Sequence, residues 1–308
     1  MKESMAKRRK NRRFFRSFFL AAALYVLLSA AATPVVLWIA FPRDDSGADG
    51  SFPLSGSQEI TIPSANGFLQ GWIAEAEDSR GVVLLLHGVH GNAGQMAENM
   101  ALFREMGWTP LAINATGVGA SDGAWTRGIQ QQSIDGRAAL AWISEQPALK
   151  GLPIVVYGHS AGAWAAARLS REDTVDGVIC VSGFDRPVVL MTTWAEHYAG
   201  PAAWLEIPFL RMWESILFGP EYDASGEAAL TESGKPALVV HGGADQTVPE
   251  ETSLFAVCVQ KQSPVETILA EKAGHSQSQV MEDVSRDAIL HLLDASASYA
   301  PTEEEKVH

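Results

Sequence analysis

The chain has 308 residues, 47% of them apolar, with 27 Gly and 15 Pro, which excludes disorder over most of its length and supplies a core for one sizeable domain. Its net charge of −13 is unevenly placed: residues 1–43 carry nine Lys and Arg against one acidic residue, and the remainder carries 14 against 35. So acidic a body argues against nucleic acid or anionic lipid head groups as direct partners.

Residues 2–16 hold eight Lys and Arg, and Ser17 to Phe41 then run without a charge, long enough to cross a bilayer as a helix. A basic flank ahead of an apolar run keeps the N-terminus in the cytoplasm. Residues 1–42 therefore read as an uncleaved membrane anchor, since Pro34 to Phe41 extend the apolar run beyond a signal's core. A cleavable signal stays open as the alternative, with Phe18 to Leu28 as its apolar stretch and Ala30-Ala31-Ala32 as its cleavage site. Arg12-Arg13-Phe14-Phe15 partly resembles a twin-arginine signal. Either way the body is exported. Residues 43–57, rich in Asp, Ser and Gly, read as a linker.

From Gln58 to the C-terminus, residues 58–308 read as one α/β domain. Gln58–Pro63 and Leu69–Glu75, joined through Asn66-Gly67, have the pattern of an antiparallel hairpin. Val82–Leu86 is a continuous apolar run of the kind that fills a buried parallel strand. Strands are predicted at Pro110–Ile113, Ile154–Tyr157, Val175–Val181, Ala237–Val240 and Val265–Leu269, and helices at Gly94–Met106, Ile129–Glu145, Ala161–Ser170, Glu251–Gln260 and Ser278–Leu293. Alternation of this kind makes a mostly parallel sheet with flanking helices. It is interrupted at about 185–233, where Trp194, Trp204, Phe209, Trp213, Phe218 and Tyr222 read as an inserted helical cap, its aromatics either the cap's own core or the lining of an apolar pocket. Cys180, in an apolar run, and Cys258, in a helix, read as buried free thiols. No Cys/His spacing suggests zinc.

Gly158-His159-Ser160-Ala161-Gly162 lies between a predicted strand and a predicted helix, the setting in which G-x-S-x-G forms a sharp turn that exposes a nucleophilic serine. Large side chains at 158 and 162 would collide with neighbouring elements there. A serine nucleophile needs a histidine base, and the base needs an orienting carboxylate. Asp245 follows the strand Ala237–Val240, and His275 follows Val265–Leu269, both at the carboxyl ends of strands where active-site loops gather in open α/β sheets.

These residues resemble the α/β-hydrolase superfamily over roughly Gln58 to Leu293. The resemblance implies a serine hydrolase, with catalytic Ser160, His275 and Asp245. His87-Gly88-Val89 resembles the family's oxyanion loop, which implies the backbone N–H groups of Val89 and Ala161 as oxyanion donors and a structural role for His87. His90 and Asn92 share that loop and are expected to pack it. Gly117-Val118-Gly119-Ala120-Ser121 resembles the G-x-G-x-S loop; a dinucleotide site is the inferior reading, because G-x-G-x-x-G spacing is missing. An HG pair followed by a Gly/Asn-rich loop is similar to membrane-linked ABHD-like hydrolases. Ser160 stands where dehalogenase and epoxide-hydrolase relatives have Asp. The implied chemistry is hydrolysis of a carboxylic ester or thioester with no cofactor or metal; the aromatic cap and the membrane anchor together favour an apolar acyl chain or lipid as substrate. An amidase or peptidase, an acyltransferase and a non-catalytic binding protein are the alternatives on this fold. Oligomeric state is not legible.

Overall fold

The computed structural model describes residues 2–299; the last nine residues of the expected domain, 300–308, lie outside the described residues. Eight strands form one sheet in the order β1-β2-β4-β3-β5-β6-β7-β8. The expected hairpin is β1 (Gln58–Ser64) and β2 (Gly67–Ile73), paired antiparallel from Gln58↔Ile73 to Ser64↔Gly67. β2 also pairs antiparallel with β4 (Thr109–Ile113). All further pairs are parallel: β3 (Val82–Leu86) between β4 and β5 (Ile154–His159), then β6 (Gly177–Val181), β7 (Ala237–Gly242) and β8 (Glu266–Ala270). β3 to β7 are apolar on both faces because helices cover both.

After the N-terminal helix α1 (Lys2–Ala40), α2 (Ala97–Glu105), α9 (Gln277–Glu282) and α10 (Arg286–Tyr299) cover one face, where Phe103, Trp108, Tyr157 and Leu292 form the core. α3 (Gln131–Glu145), α4 (Ala161–Leu169), α7 (Gly226–Ser233) and α8 (Leu254–Lys261) cover the other. α4 is wholly buried, and its small residues let it sit tightly between the sheet and its neighbours. Cys180 and Cys258 are buried free thiols, and burial pushes the Cys258 thiol up to about 12.

The excursion between β6 and β7 contains α5 (Pro187–Ala199) and α6 (Ile207–Phe218), joined by 3-10 turns. Its base is clasped by Asp185, whose carbonyl accepts from Gly226 N–H (2.9 Å) and whose Oδ1 accepts from Ser225 Oγ (2.7 Å) and Glu227 N–H (2.9 Å). Arg168 of α4 grips Glu221 through Nε and Nη2, both at 3.0 Å. α7 packs on α4 and begins at an N-cap, Ser225, so it is a crossover helix of the domain and the cap proper is α5, α6 and their turns. Few cap aromatics make a cap core. Trp204 is 61% exposed, Phe209 meets Tyr25 of α1 edge to face, and Trp213 Nε1 donates to the Ala30 carbonyl at 2.7 Å.

α1 contains one stretch, Asn11–Ala40, long and apolar enough to cross a membrane. Its second half lies along α6: Tyr25 Oη and Ser29 Oγ both donate to Glu206 Oε1, at 3.0 and 3.1 Å. Residues 43–57 were expected as a linker; they are fastened to the body throughout. Arg43 donates to the carbonyls of Ser121, Gly123 and Gly119 at 2.7–3.1 Å, Asn92 Nδ2 donates to Ser46 Oγ, Phe52 stacks on Trp72, and Arg104 donates to the Ser55 carbonyl. A polar, flexible composition says only that the segment makes no core; these long-range partners are what tie it down.

Candidate active site

Ser160 occupies the turn from β5 into α4 with φ 56° and ψ −114°, a left-sided conformation that costs a non-glycine residue energy and is held by its surroundings. What holds it is visible on both sides. Ser160 N–H donates to the Val181 carbonyl at 2.9 Å, and the Ser160 carbonyl accepts from Ala163 and Trp164, starting α4. A Cβ on Gly158 would strike the Gly162 backbone, and one on Gly162 would strike the carbonyls of Leu86 and His87. Only glycines allow strand, turn and helix to approach so closely.

The loop after β3 lies against this turn: a Cβ on Gly88 would stand 3.1 Å from Ser160 Cβ. His87 is fully buried, with Nδ1 donating to the Gly88 carbonyl (2.7 Å) and Nε2 accepting from Ala115 N–H (3.1 Å). Burial lowers its pKa to about 4, so it is neutral and structural as expected. Val89 follows, half-buried, and its N–H meets no acceptor among the described residues. The Ala161 N–H, first in α4, has no acceptor within its helix. Asn92 packs the loop through Ser46, and His90 is exposed at φ 57°. Just ahead of the G-x-G-x-S loop, Thr116 donates its N–H and Oγ1 to Asp135 of α3 at 2.7 and 2.8 Å, with burial pushing the Asp135 carboxyl up to about 6.

Asp245 and His275, 30 residues apart, meet at the carboxyl ends of β7 and β8. His275 Nδ1 lies 2.7 Å from Asp245 Oδ2, while Asp245 Oδ1 accepts from the N–H groups of Thr247 (2.8 Å) and Val248 (3.0 Å). The Asp245 side chain has no exposed surface. Burial alone would raise its pKa, but the His275 and backbone donors outweigh it and hold the carboxyl below its usual range. A carboxylate so held accepts the hydrogen bond of Nδ1–H, which keeps its proton, and leaves His275 Nε2 as the free acceptor. Ser160 makes no side-chain hydrogen bond to His275 in this structure. The two loops are joined one residue away, where His159 Nε2 lies 2.8 Å from the His275 carbonyl oxygen. A serine–histidine hydrogen bond is often formed fully only when substrate is bound.

Two histidines near the site were not singled out by the sequence. His159 is one. The other is His241, fully buried with neither ring nitrogen partnered and Nε2 4.0 Å from the same Asp245 oxygen. Neither has a signal in the primary structure, since each gains its place from loops far along the chain. A cavity of about 20 Å³ lies beneath Val89, walled by Phe41, Val118 and Ile129. A cleft of about 690 Å³ opens beside His159 and Ser276, walled by Gln95, Glu98 and Leu54. The cap aromatics line neither.

Sheet order, the serine turn at positive φ and the carboxylate–imidazole pair are those of the α/β-hydrolase fold. Residues 77–212 match the family model described as serine aminopeptidase, S33. No curated protein matches the chain. Among solved structures it is similar to an esterase of Pyrococcus furiosus, at 21% identity over 80% of this chain and 92% of that one with a TM-score of 0.59. It is similar also to an alpha-beta hydrolase from Vibrio vulnificus (20% identity, 77% and 81% covered, TM-score 0.59) and to an alpha-beta serine hydrolase homologue from Coxiella burnetii (22%, 79% and 98%, 0.52). At these identities the likeness is one of fold.

Proposed function

We propose that the chain is a serine hydrolase that cleaves a carboxylic ester or thioester through Ser160, His275 and Asp245. The observation that carries this reading is the 2.7 Å contact of His275 Nδ1 with a fully shielded Asp245 carboxylate, beside a serine held at positive φ where α4 begins. His275 Nε2 takes the proton of Ser160 Oγ as the oxygen attacks the acyl carbon. The N–H groups of Val89 and Ala161, both without internal acceptors, receive the developing oxyanion, aided by the positive end of α4. His275 then protonates the leaving alcohol or thiol, and the same steps with water release the acid. The substrate reading is an apolar acyl compound or lipid, and α1 serves as a single-pass anchor with the N-terminus cytoplasmic and the hydrolase body on the far side, in keeping with a membrane-linked ABHD-like enzyme. Its support is the one apolar helix. Export after signal cleavage is the alternative.

A fluorophosphonate probe labels the wild-type chain and leaves Ser160→Ala unlabelled; equal labelling of the two removes the assignment. Amide hydrolysis is a second reading, favoured by the aminopeptidase family model over residues 77–212. Turnover of aminoacyl-p-nitroanilides ahead of p-nitrophenyl esters would select it.

A further inference from the structure

The residue preceding Ser160 stands between the two loops on which the proposed chemistry depends. His159 ends β5, and its imidazole is wedged between the loop after β3 and the loop that carries His275: Nε2 lies 2.8 Å from the His275 carbonyl oxygen, the two rings are 4.9 Å apart at 48°, and a Cβ on Gly88 would stand 3.3 Å from His159 Nδ1. A carbonyl only accepts, so Nε2 carries the proton and Nδ1 is bare. That tautomer suits the site, since Nδ1 is buried without a partner. Burial also lowers the His159 pKa to about 4, so the ring stays neutral while the neighbouring histidine exchanges protons.

Little else fixes the base loop at this point. The His275 carbonyl has no backbone donor among the described residues, and its neighbours are tied elsewhere: Gly274 N–H to Gln279 Oε1 at 3.3 Å, and Gln277 Nε2 to the Gln95 carbonyl at 2.6 Å. His275 is therefore held at two places, its ring by Asp245 and its main chain by His159. The first sets which way the imidazole faces, and the second sets how far it stands from the turn bearing Ser160.

We propose that His159 is a positioning residue: its Nε2–H bond to the His275 carbonyl fixes the base relative to Ser160, and its ring couples that loop to the oxyanion loop through Gly88. It forms no bond to substrate and exchanges no proton in the reaction. This rests on the Ser160–His275–Asp245 reading and is tested beside it on the full chain. His159→Phe keeps an aromatic ring and removes the donor; His159→Gln keeps an N–H within similar reach. The Phe variant is expected to lose about 10- to 100-fold in fluorophosphonate labelling rate and in kcat on p-nitrophenyl butyrate, with KM within about 2-fold, and the Gln variant to recover most of the loss. Wild-type rates in His159→Phe, or equal losses in both variants, overturn the proposal, the latter because packing alone would explain them. Should either variant fail to fold, 15N spectra of the wild-type histidines decide: a protonated Nε2 and bare Nδ1 on His159 support the proposal, and the opposite tautomer overturns it. A wild-type chain that takes no label removes the Ser160 reading itself, and this inference with it.

Discussion

Asp245 and Gly162 show two ways in which a single residue decides this site. The Asp245 carboxylate sets the tautomer of His275, and an amide in its place offers a donor where the imidazole needs an acceptor. Asp245→Asn is expected to fold and to lose about 10³- to 10⁴-fold in kcat with little change in KM, measured on p-nitrophenyl esters. Its hydrogen bonds to Thr247 and Val248 survive, because the Asn Oδ1 still accepts both. Gly162 acts through space it leaves empty. A valine there meets the carbonyls of Leu86 and His87, both backbone atoms in the central strand region, so Gly162→Val is expected to destabilise by about 3 kcal/mol or to prevent folding, read as a loss of the cooperative thermal transition.

At the scale of the element, α6 carries a group the chemistry does not use. Glu214 is buried with Gln130 Nε2 as its one side-chain partner among the described residues, at 2.7 Å, and burial pushes its pKa up to about 7 against the opposing effect of that bond. An acid whose pKa is raised by folding binds protons in the folded state that the unfolded chain has released. Its charge therefore costs nothing below the unfolded pKa near 4.5, and the cost grows as pH rises to about 7 and is complete above it. Glu214→Gln keeps an acceptor for Gln130 and removes the charge. Its Tm is expected to match the wild type at about pH 4 and to exceed it by several degrees at about pH 8, corresponding to about 2 kcal/mol; parallel Tm curves across pH would refute this.

Elements also show what was legible. The strands fall within one or two residues of their expected places, β3 to β7 because burial on both faces leaves an apolar run as the only pattern. Helix ends read less well. Ser278–Leu293 reads as one helix, yet the chain breaks into α9 and α10 at residues 283–285, where Ser285 Oγ accepts from Ala288 N–H and restarts the helix. The serine was visible, but apolar periodicity on either side masked it. Residues 185–233 read as one insertion, yet α7 follows the aromatic segment in sequence and packs on α4. Ser160, Asp245 and His275 could be singled out because their chemistry demands a fixed order along the chain. No such demand marks His159 or His241, whose places come from contacts spanning up to 116 residues.

For the molecule as a whole, the position of α1 governs how the body can meet a membrane. The bonds of Tyr25 and Ser29 to Glu206 lie about 13 to 20 Å along the helix from Arg16, which is mid-bilayer depth if α1 spans, and a carboxylate there is costly. Docking on α6 and spanning a membrane therefore exclude each other. A Ser29→Cys/Glu206→Cys pair is expected to cross-link in the detergent-free chain and not in proteoliposomes; efficient cross-linking in both would show that the helix never leaves the cap.

Arg43 sets what such a departure can achieve. Its guanidinium is bound to three carbonyls of the loop after β4, three residues beyond the end of α1, and Phe41 before it is buried with its carbonyl accepting from Thr126 N–H, so any pivot lies ahead of Phe41 and there is no slack behind it. With α1 in a bilayer, the body cannot wander on a leash; it stands flush with the surface at a set height. The molecules it meets would then be selected by where they reside as much as by what they are.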